Sequence, residues 1–319
     1  MAMPSVLRFG GERSRSGRTG ADKPQHNRLF YMLLAAPGII WLTLLFLVPF
    51  YDVIAIAGGR LNYLKETAVA VYNPLEWSHA YLVLSWDDIF GKGAADLGVL
   101  WNTIWYTVAA SLLCLLIGYP AAYFVARFAG RRKAFFLVLL IAPFWISYMM
   151  RMLAWIDLLQ TNGYVNKALS LVGLPGQTDW LGGHSFTVIL GLVYGYIPYL
   201  ILVLYAGLDR IDGSLLEAGR DLGLGRFGTF VKVTLPLSRQ PILTGLLITV
   251  LPMLGDYFTN QLLSGTRGTA MIGNVIDQQL SSNGFEGEGA VLSLLLLAIL
   301  IIPMIYYIRA TARSAREAS

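Results

Sequence analysis

The chain has 319 residues, of which 56% are hydrophobic and only 13% charged, and its mean hydropathy is +0.59. So few charges cannot clothe a soluble globule of this size, which excludes an ordinary cytosolic enzyme or binding domain and places most of the chain in a bilayer. The net charge of +5 calls for no nucleic-acid partner, because the basic residues cluster at the ends of apolar stretches, where they set membrane orientation.

Residues 1–28 are polar and basic, with Arg8, Arg13, Arg15, Arg18, Lys23 and Arg28, and read as a cytoplasmic tail. The apolar run after them is longer than a signal-peptide core, so it is expected to remain as a first span although Ala55-Ile56-Ala57 superficially resembles a cleavage site. Uncharged stretches then cover 29–51, 97–126, 134–150, 180–208, 240–255 and 289–308. A helix needs roughly 20 mostly apolar residues to cross about 30 Å of hydrocarbon. The pattern predicts six transmembrane helices, at about 29–52, 99–125, 134–156, 185–208, 238–260 and 289–308 of a membrane domain covering 29–310, with 311–319 as a second cytoplasmic tail. A β-barrel would need segments of roughly 10 residues with alternating polarity, and none is visible. Each span contains proline (Pro37 and Pro49, Pro120, Pro143, Pro198, Pro252, Pro303), which membrane helices tolerate where neighbours re-satisfy the freed carbonyl. The single Cys114 falls inside the second span and forms no intrachain disulfide.

With the N-terminus inside, the cytoplasmic segments hold 18 of the 24 basic residues. Lys and Arg are retained on the cytoplasmic side during insertion, so both termini are expected there. Acidic residues lean the other way: Glu66, Glu76, Asp87, Asp88, Asp96, Asp179, Asp277, Glu286 and Glu288 all fall in outer segments. They form either an acidic vestibule that attracts cations or a merely solvated loop surface.

The segment 209–237, between the fourth and fifth spans, carries a defined pattern. Ser214 followed by Glu217 forms a capping box and predicts a helix from about Leu215. Gly223 and Gly225 supply a left-handed end, and Arg226 to Leu235 predicts a second helix, with Phe227, Phe230 and Val231 as its apolar stripe. On these grounds alone it is either an amphipathic connector on the membrane surface or a docking element. The spacing Glu217-Ala218-Gly219, Gly223, Val233 and Leu235-Pro236 resembles the EAA signature of ABC importer permeases.

That resemblance implies an all-α, polytopic, type I permease fold in which this segment is the coupling helix that docks on an ATPase subunit. Glu217, Ala218 and Gly223 would carry the contact, Asp221 and Arg226 its polar rim, and Gly219 stands where the family more often has alanine. The chain itself holds no G-x-x-x-x-G-K-[ST] phosphate loop, so no cofactor or catalytic residue is expected on it and ATP with Mg would be bound by partner subunits. Gly191-x-x-x-Gly195 reads as a close helix contact instead. The implied partners are an ATPase dimer, a second homologous permease, an extracytoplasmic solute-binding protein and membrane lipid, in a bacterial inner membrane.

The resemblance covers roughly 29–310. Gly118-Tyr119-Pro120-Ala121-Ala122-Tyr123, Pro143-Phe144-Trp145-Ile146-Ser147 with Arg151 and Ala154-Trp155, and Met271-Ile272-Gly273-Asn274 look like the spermidine/putrescine branch, which implies a polyamine cargo. The long tail and the bulky 58–98 loop depart from the shorter members. A physical reading stands beside this. The 240–255 stretch is 16 residues, about 24 Å of helix against roughly 30 Å of hydrocarbon, so Asp256 is expected in or near the outer membrane face. A carboxylate there either lines a path for a cationic amine or pairs with Arg151. Tyr257, Trp101, Tyr106, Trp155, Tyr194, Tyr196 and Tyr199 are candidate cation–π surfaces, although Trp and Tyr also collect at membrane interfaces. Asp157 is a weaker candidate. The competing readings are an importer of another small organic solute, an ion-coupled secondary transporter, which would show mid-membrane carboxylates and inverted repeats, and a scaffold without a docking segment.

Overall fold

The computed structural model describes residues 28–62, 67–90, 96–174, 178–282 and 285–317. Arg8, Arg13, Arg15, Arg18, Lys23 and Glu66 lie outside these. The chain divides into two compact units, 1–49 and 50–319. The first holds α1 (Arg28–Leu42), which runs into one π-helical turn at Thr43–Leu47. Leu34, Trp41 and Leu42 of this unit are exposed, which suits a helix surrounded by lipid or by another subunit.

The second unit continues from α2 (Val48–Ala57) into a two-stranded antiparallel hairpin, β1 (Arg60–Asn62) and β2 (Thr67–Val69), the only sheet among the described residues. An outer-loop helix, α3 (Ala80–Phe90), precedes the long α4 (Asp96–Arg127). Then come α5 (Lys133–Ile141), α6 (Tyr148–Leu159), α7 (Tyr164–Leu171) and α8 (Ser185–Asp209). After the short α9 (Gly213–Asp221), α10 (Arg226–Thr229) and α11 (Leu235–Leu237) follow α12 (Arg239–Leu254), α13 (Phe258–Leu263), α14 (Ile272–Leu280) and α15 (Glu286–Glu317).

The core forms where α4 lies along α8, with α12 against both. Ala110, Cys114, Gly118 and Ala122 recur every four residues on α4, and all are buried. Such a stripe of small side chains lets two backbones approach closely, which is how membrane helices gain packing energy without a hydrophobic drive between them. A Cβ added at Gly118 would sit 3.2 Å from Ile201. Leu192, Leu200, Leu204 and Leu208 of α8 fill the facing side. At the far end Arg127 donates to the Leu208 and Ile211 carbonyls, each at 2.9 Å, satisfying acceptors that the end of α8 leaves free.

Among the described residues, four helical stretches are long and apolar enough to cross a bilayer: Tyr31–Ala57, Leu97–Arg127, Ser185–Asp209 and Glu286–Ala312. The predicted third span, 134–156, is not a single helix, and a second bend falls where the predicted fifth span, 238–260, begins. Gly130–Trp145 and Tyr148–Leu171 meet at 90°, and Arg226–Leu237 and Arg239–Leu254 at 62°, so six is reached only with each bent pair counted as one. The first bend follows Pro143: Ile146 is extended and the Ser147 hydroxyl caps the new helix at the Met150 N–H. The second falls at Ser238, three residues before Pro241, which lacks the N–H needed to continue the ladder. The predicted span 238–260 also stops early, at Leu254, and resumes as α13 only after Gly255, Asp256 and Tyr257. The first span runs beyond 52, to Ala57.

Candidate functional site

The segment after α8 folds from local signals. Helix α9 starts one residue before the expected capping box, because Asp212 and not Ser214 is its cap: the Asp212 carboxylate accepts the Ser214 N–H at 3.0 Å. That bond holds the Asp212 carboxyl below its ordinary value. Gly223, at φ +84, ends the helix. Its N–H bonds the Arg220 carbonyl at 2.8 Å while the Leu224 N–H reaches Gly219 at 3.1 Å, the paired bonds of a Schellman turn. Gly225 is extended rather than left-handed, and serves as the cap of α10. The expected second helix is interrupted by a π-helical stretch at Phe230–Thr234.

Glu217, Ala218, Asp221, Gly223 and Arg226 are all exposed. Gly219 is not among them. It is buried, and a Cβ there would sit 3.2 Å from Val233 and 3.6 Å from Thr229, so it lets α9 lie against the following helical segment. The apolar stripe is also split. Phe230 turns inward, edge-on to Tyr119 and Tyr123 with ring centroids 5.7 and 5.6 Å away, whereas Phe227 is 79% exposed and Leu222 85%. Leu222, beside the glycine turn, escaped the sequence reading because a single leucine forms no periodic pattern.

A second site gathers around the break in the fifth span. Asp256 is 7% exposed and both its oxygens are engaged. Oδ1 accepts the Thr259 N–H at 2.9 Å; Oδ2 accepts hydroxyls from Thr259 at 2.8 Å, Tyr196 at 2.9 Å and Tyr148 at 3.2 Å. Four donors stabilise a carboxylate that burial would otherwise make costly. The break itself is held from α14 and the loop before it. Asn274 donates to the Tyr257 carbonyl at 2.8 Å, and Gly273 packs so closely that a Cβ would lie 2.8 Å from the Gly255 carbonyl. Gly191 and Gly195 on α8 do form a close contact: a Cβ at Gly191 would meet Leu263 at 2.4 Å, and one at Gly195 would meet the Tyr148 ring at 2.7 Å. Gly195 thus makes room for the tyrosine that reaches Asp256.

Arg151 does not pair with Asp256; among the described residues no ion pair within 4.0 Å joins them. Its guanidinium is buried over three rings, 5.6 Å from Phe144, 5.3 Å from Tyr148 and 6.0 Å from Tyr194. Trp155 stands edge-on to Tyr194 at 5.3 Å, and Tyr199 edge-on to Phe144 at 4.5 Å and 6.4 Å from Tyr196. Four of the seven candidate aromatics, Trp155, Tyr194, Tyr196 and Tyr199, therefore share one cluster. Tyr257 lies next to it but stacks on Phe258 at 4.2 Å. Trp101 is 65% exposed, and Tyr106 is buried in the core, bonded to Ser185 at 2.8 Å. Asp157 is exposed and accepts from Gln160. Tyr148 and Thr259 were missed: nothing in a linear chain marks two hydroxyls, 111 positions apart, that lie within hydrogen-bond distance of each other and of one carboxylate.

The bundle of bent spans and the short helix carried between α8 and α12 define a multi-pass membrane permease. The chain belongs to the family of binding-protein-dependent transport system inner membrane components, whose profile matches residues 115–314, and it is accordingly a permease subunit of an ABC importer. It is 33% identical over 213 residues to the spermidine/putrescine transport system permease protein PotB of Escherichia coli, covering 67% of this chain and 77% of that one. The PotB of Haemophilus influenzae is 34% identical over 211 residues, with 66% and 73% covered. The inner membrane ABC transporter permease protein YdcU of Escherichia coli is 30% identical over 233 residues, with 69% and 74% covered. Among solved structures, a chain of a bacterial alginate ABC transporter in complex with an alginate-bound periplasmic protein superposes with a TM-score of 0.71 over 90% of this chain and 94% of that one, at 17% identity. At that identity the likeness concerns the fold.

Proposed function

We propose that this permease conducts a polyamine of the spermidine or putrescine kind, and that the observation carrying this reading is the buried Asp256 carboxylate at a helix break, ringed by Tyr148, Tyr196 and Thr259. The polyamine names of the relatives at 33% and 34% identity support it. An ammonium passing this cluster finds a fixed negative charge and the aromatic faces of Tyr194, Tyr196 and Trp155, which attract cations by about 0.5–2 kcal/mol each. The mechanism is alternating access. A solute-binding protein delivers cargo to the outer loops; closure of two ATPase subunits, which bind ATP and Mg in trans, moves the segment 209–237 and rocks the spans of this chain and of a sister permease. Within that segment Glu217, Ala218, Gly223, Asp221 and Arg226 meet the ATPase, and Gly219 supports them from behind. The test is uptake into proteoliposomes holding the whole complex: labelled putrescine should be imported with ATP and displaced by spermidine, and ATP-driven uptake that neither polyamine inhibits would refute the cargo.

One observation favours a second reading. Arg151 stands in the same aromatic cluster, and its Nε and Nη1 have no hydrogen-bond partner among the described residues. A fixed cation there disfavours a polycation and suits a small organic solute with an acidic group, such as an organophosphonate or an amino acid derivative. Competition by such solutes where polyamines fail to compete would select it.

A further inference from the structure

The turn before the outer-loop helix α3 is tied to the end of α2, and α3 itself to the start of α15, by two contacts that each require a glycine. Trp77 packs on Gly58 just after α2, where an added Cβ would lie 2.7 Å from the indole, and the indole N–H is fixed to the Val71 carbonyl at 2.8 Å. Tyr81 packs on Gly287 at the start of α15, where a Cβ would meet the ring at 2.5 Å. Between these contacts the helices leave a cavity of about 530 Å³, walled by Ile54, Leu82, Trp86, Val291, Leu294 and Leu295. Pre-formed ligand pockets commonly measure about 300–1,000 Å³.

Its place in the fold says what fills it. Leu294 lies eight residues into α15, about 12 Å along the helix axis, so the cavity reaches from the end of the span well into one leaflet, which is about 15 Å deep. Val291, Leu294 and Leu295 on this wall are half-buried, and farther along the same span Leu297, Ile301 and Ile302 are exposed. Trp77 and Trp86 are among its lining residues, and tryptophan collects at the membrane–water interface. The medium around such a wall is hydrocarbon rather than water, and an empty apolar void would forfeit the dispersion contacts of its lining.

We infer that this groove holds one acyl chain of a phospholipid from the leaflet on the Asp256 side, with the headgroup beside the exposed His79 and the half-buried Ser78. The bound chain joins α3 to the last span, so α3 and the turn before it act as a lipid clamp. This holds whatever the cargo.

The experiment reconstitutes the whole importer in vesicles doped with a phosphatidylethanolamine that carries a diazirine midway along one acyl chain, and maps the photo-adducts by mass spectrometry. Adducts should concentrate on residues 77–86 and 291–295, and Leu294→Trp, which fills the groove, should lower them about fivefold there while adducts elsewhere on α15 and subunit assembly stay unchanged. Should that variant fail to assemble, Val291→Phe provides the same test. Labelling spread evenly along α15 and indifferent to both substitutions overturns the inference. So does a photo-crosslinker at Trp86 that captures the sister permease or the binding protein instead of lipid.

Discussion

Asp256 has two roles that a single substitution can separate. Its Oδ1 caps α13 through the Thr259 N–H, and its Oδ2 gathers three hydroxyls. Asparagine caps as well as aspartate, so Asp256→Asn keeps the turn and removes the charge. The expected outcome is an assembled complex whose KM for a cationic solute rises about tenfold, equivalent to roughly 1.4 kcal/mol; unchanged kinetics would remove Asp256 from the path. Asp256→Ala loses the cap as well and should also lower the thermal stability of the purified subunit. Gly195→Ala tests the cluster from behind. A Cβ 2.7 Å from the Tyr148 ring forces that ring away from Asp256, an overpacking cost of about 1–3 kcal/mol. Its uptake should match that of Tyr148→Phe, and normal uptake by the alanine variant would show that Tyr148 contributes nothing.

The turn after α9 distinguishes backbone strain from docking. Gly223 has φ +84, yet nothing lies within 4 Å of where its Cβ would be. Alanine there therefore meets only the left-handed penalty, about 1–2 kcal/mol, and should leave most ATP-driven uptake intact while amides 219–224 exchange faster with deuterium. Arginine adds bulk at an exposed position close in the chain to the exposed Glu217 and Ala218. Gly223→Arg should abolish uptake yet insert normally in the membrane, and equal uptake by the two variants would place docking elsewhere. At the start of the same helix the sign of the pH effect is fixed. Because the folded Asp212 carboxyl is held below its ordinary value, its cap is fully present at neutral pH and is lost as pH falls through the lowered folded value. Amides of the first turn should lose protection on acidification, and Asp212→Ala should show that loss already at neutral pH.

For the whole molecule the predictions concern orientation and assembly. Cys114 is fully buried between α4 and α8 and forms no disulfide, so replacing it with alanine gives a background for single-cysteine labelling. Cysteines at Ser214 and Arg226 should react only with reagents admitted to the cytoplasm, and one at Gln278 only with reagents outside. An ATPase subunit should co-purify with the wild-type chain and be lost from a Glu217→Ala/Gly223→Arg double variant; retention would contradict docking through this segment.

Composition and charge alone determined a multi-pass helical membrane protein, because a bilayer admits only backbone that satisfies its own hydrogen bonds and the basic residues mark the ends of its spans. Between Glu217 and Pro236 a short helix and its end at Gly223 were legible too, since a left-handed glycine turn acts within a few residues. Tertiary structure decided the rest. It turned Gly219 inward and Leu222 outward, replaced Ser214 by Asp212 as the cap, and broke the third and fifth spans where one helix each was expected. It also set Arg151 among aromatic rings rather than on Asp256, and gave Asp256 to Tyr148, Tyr196 and Thr259. Those outcomes depend on which helix faces lie against each other, and periodicity along one helix carries no information about its neighbour.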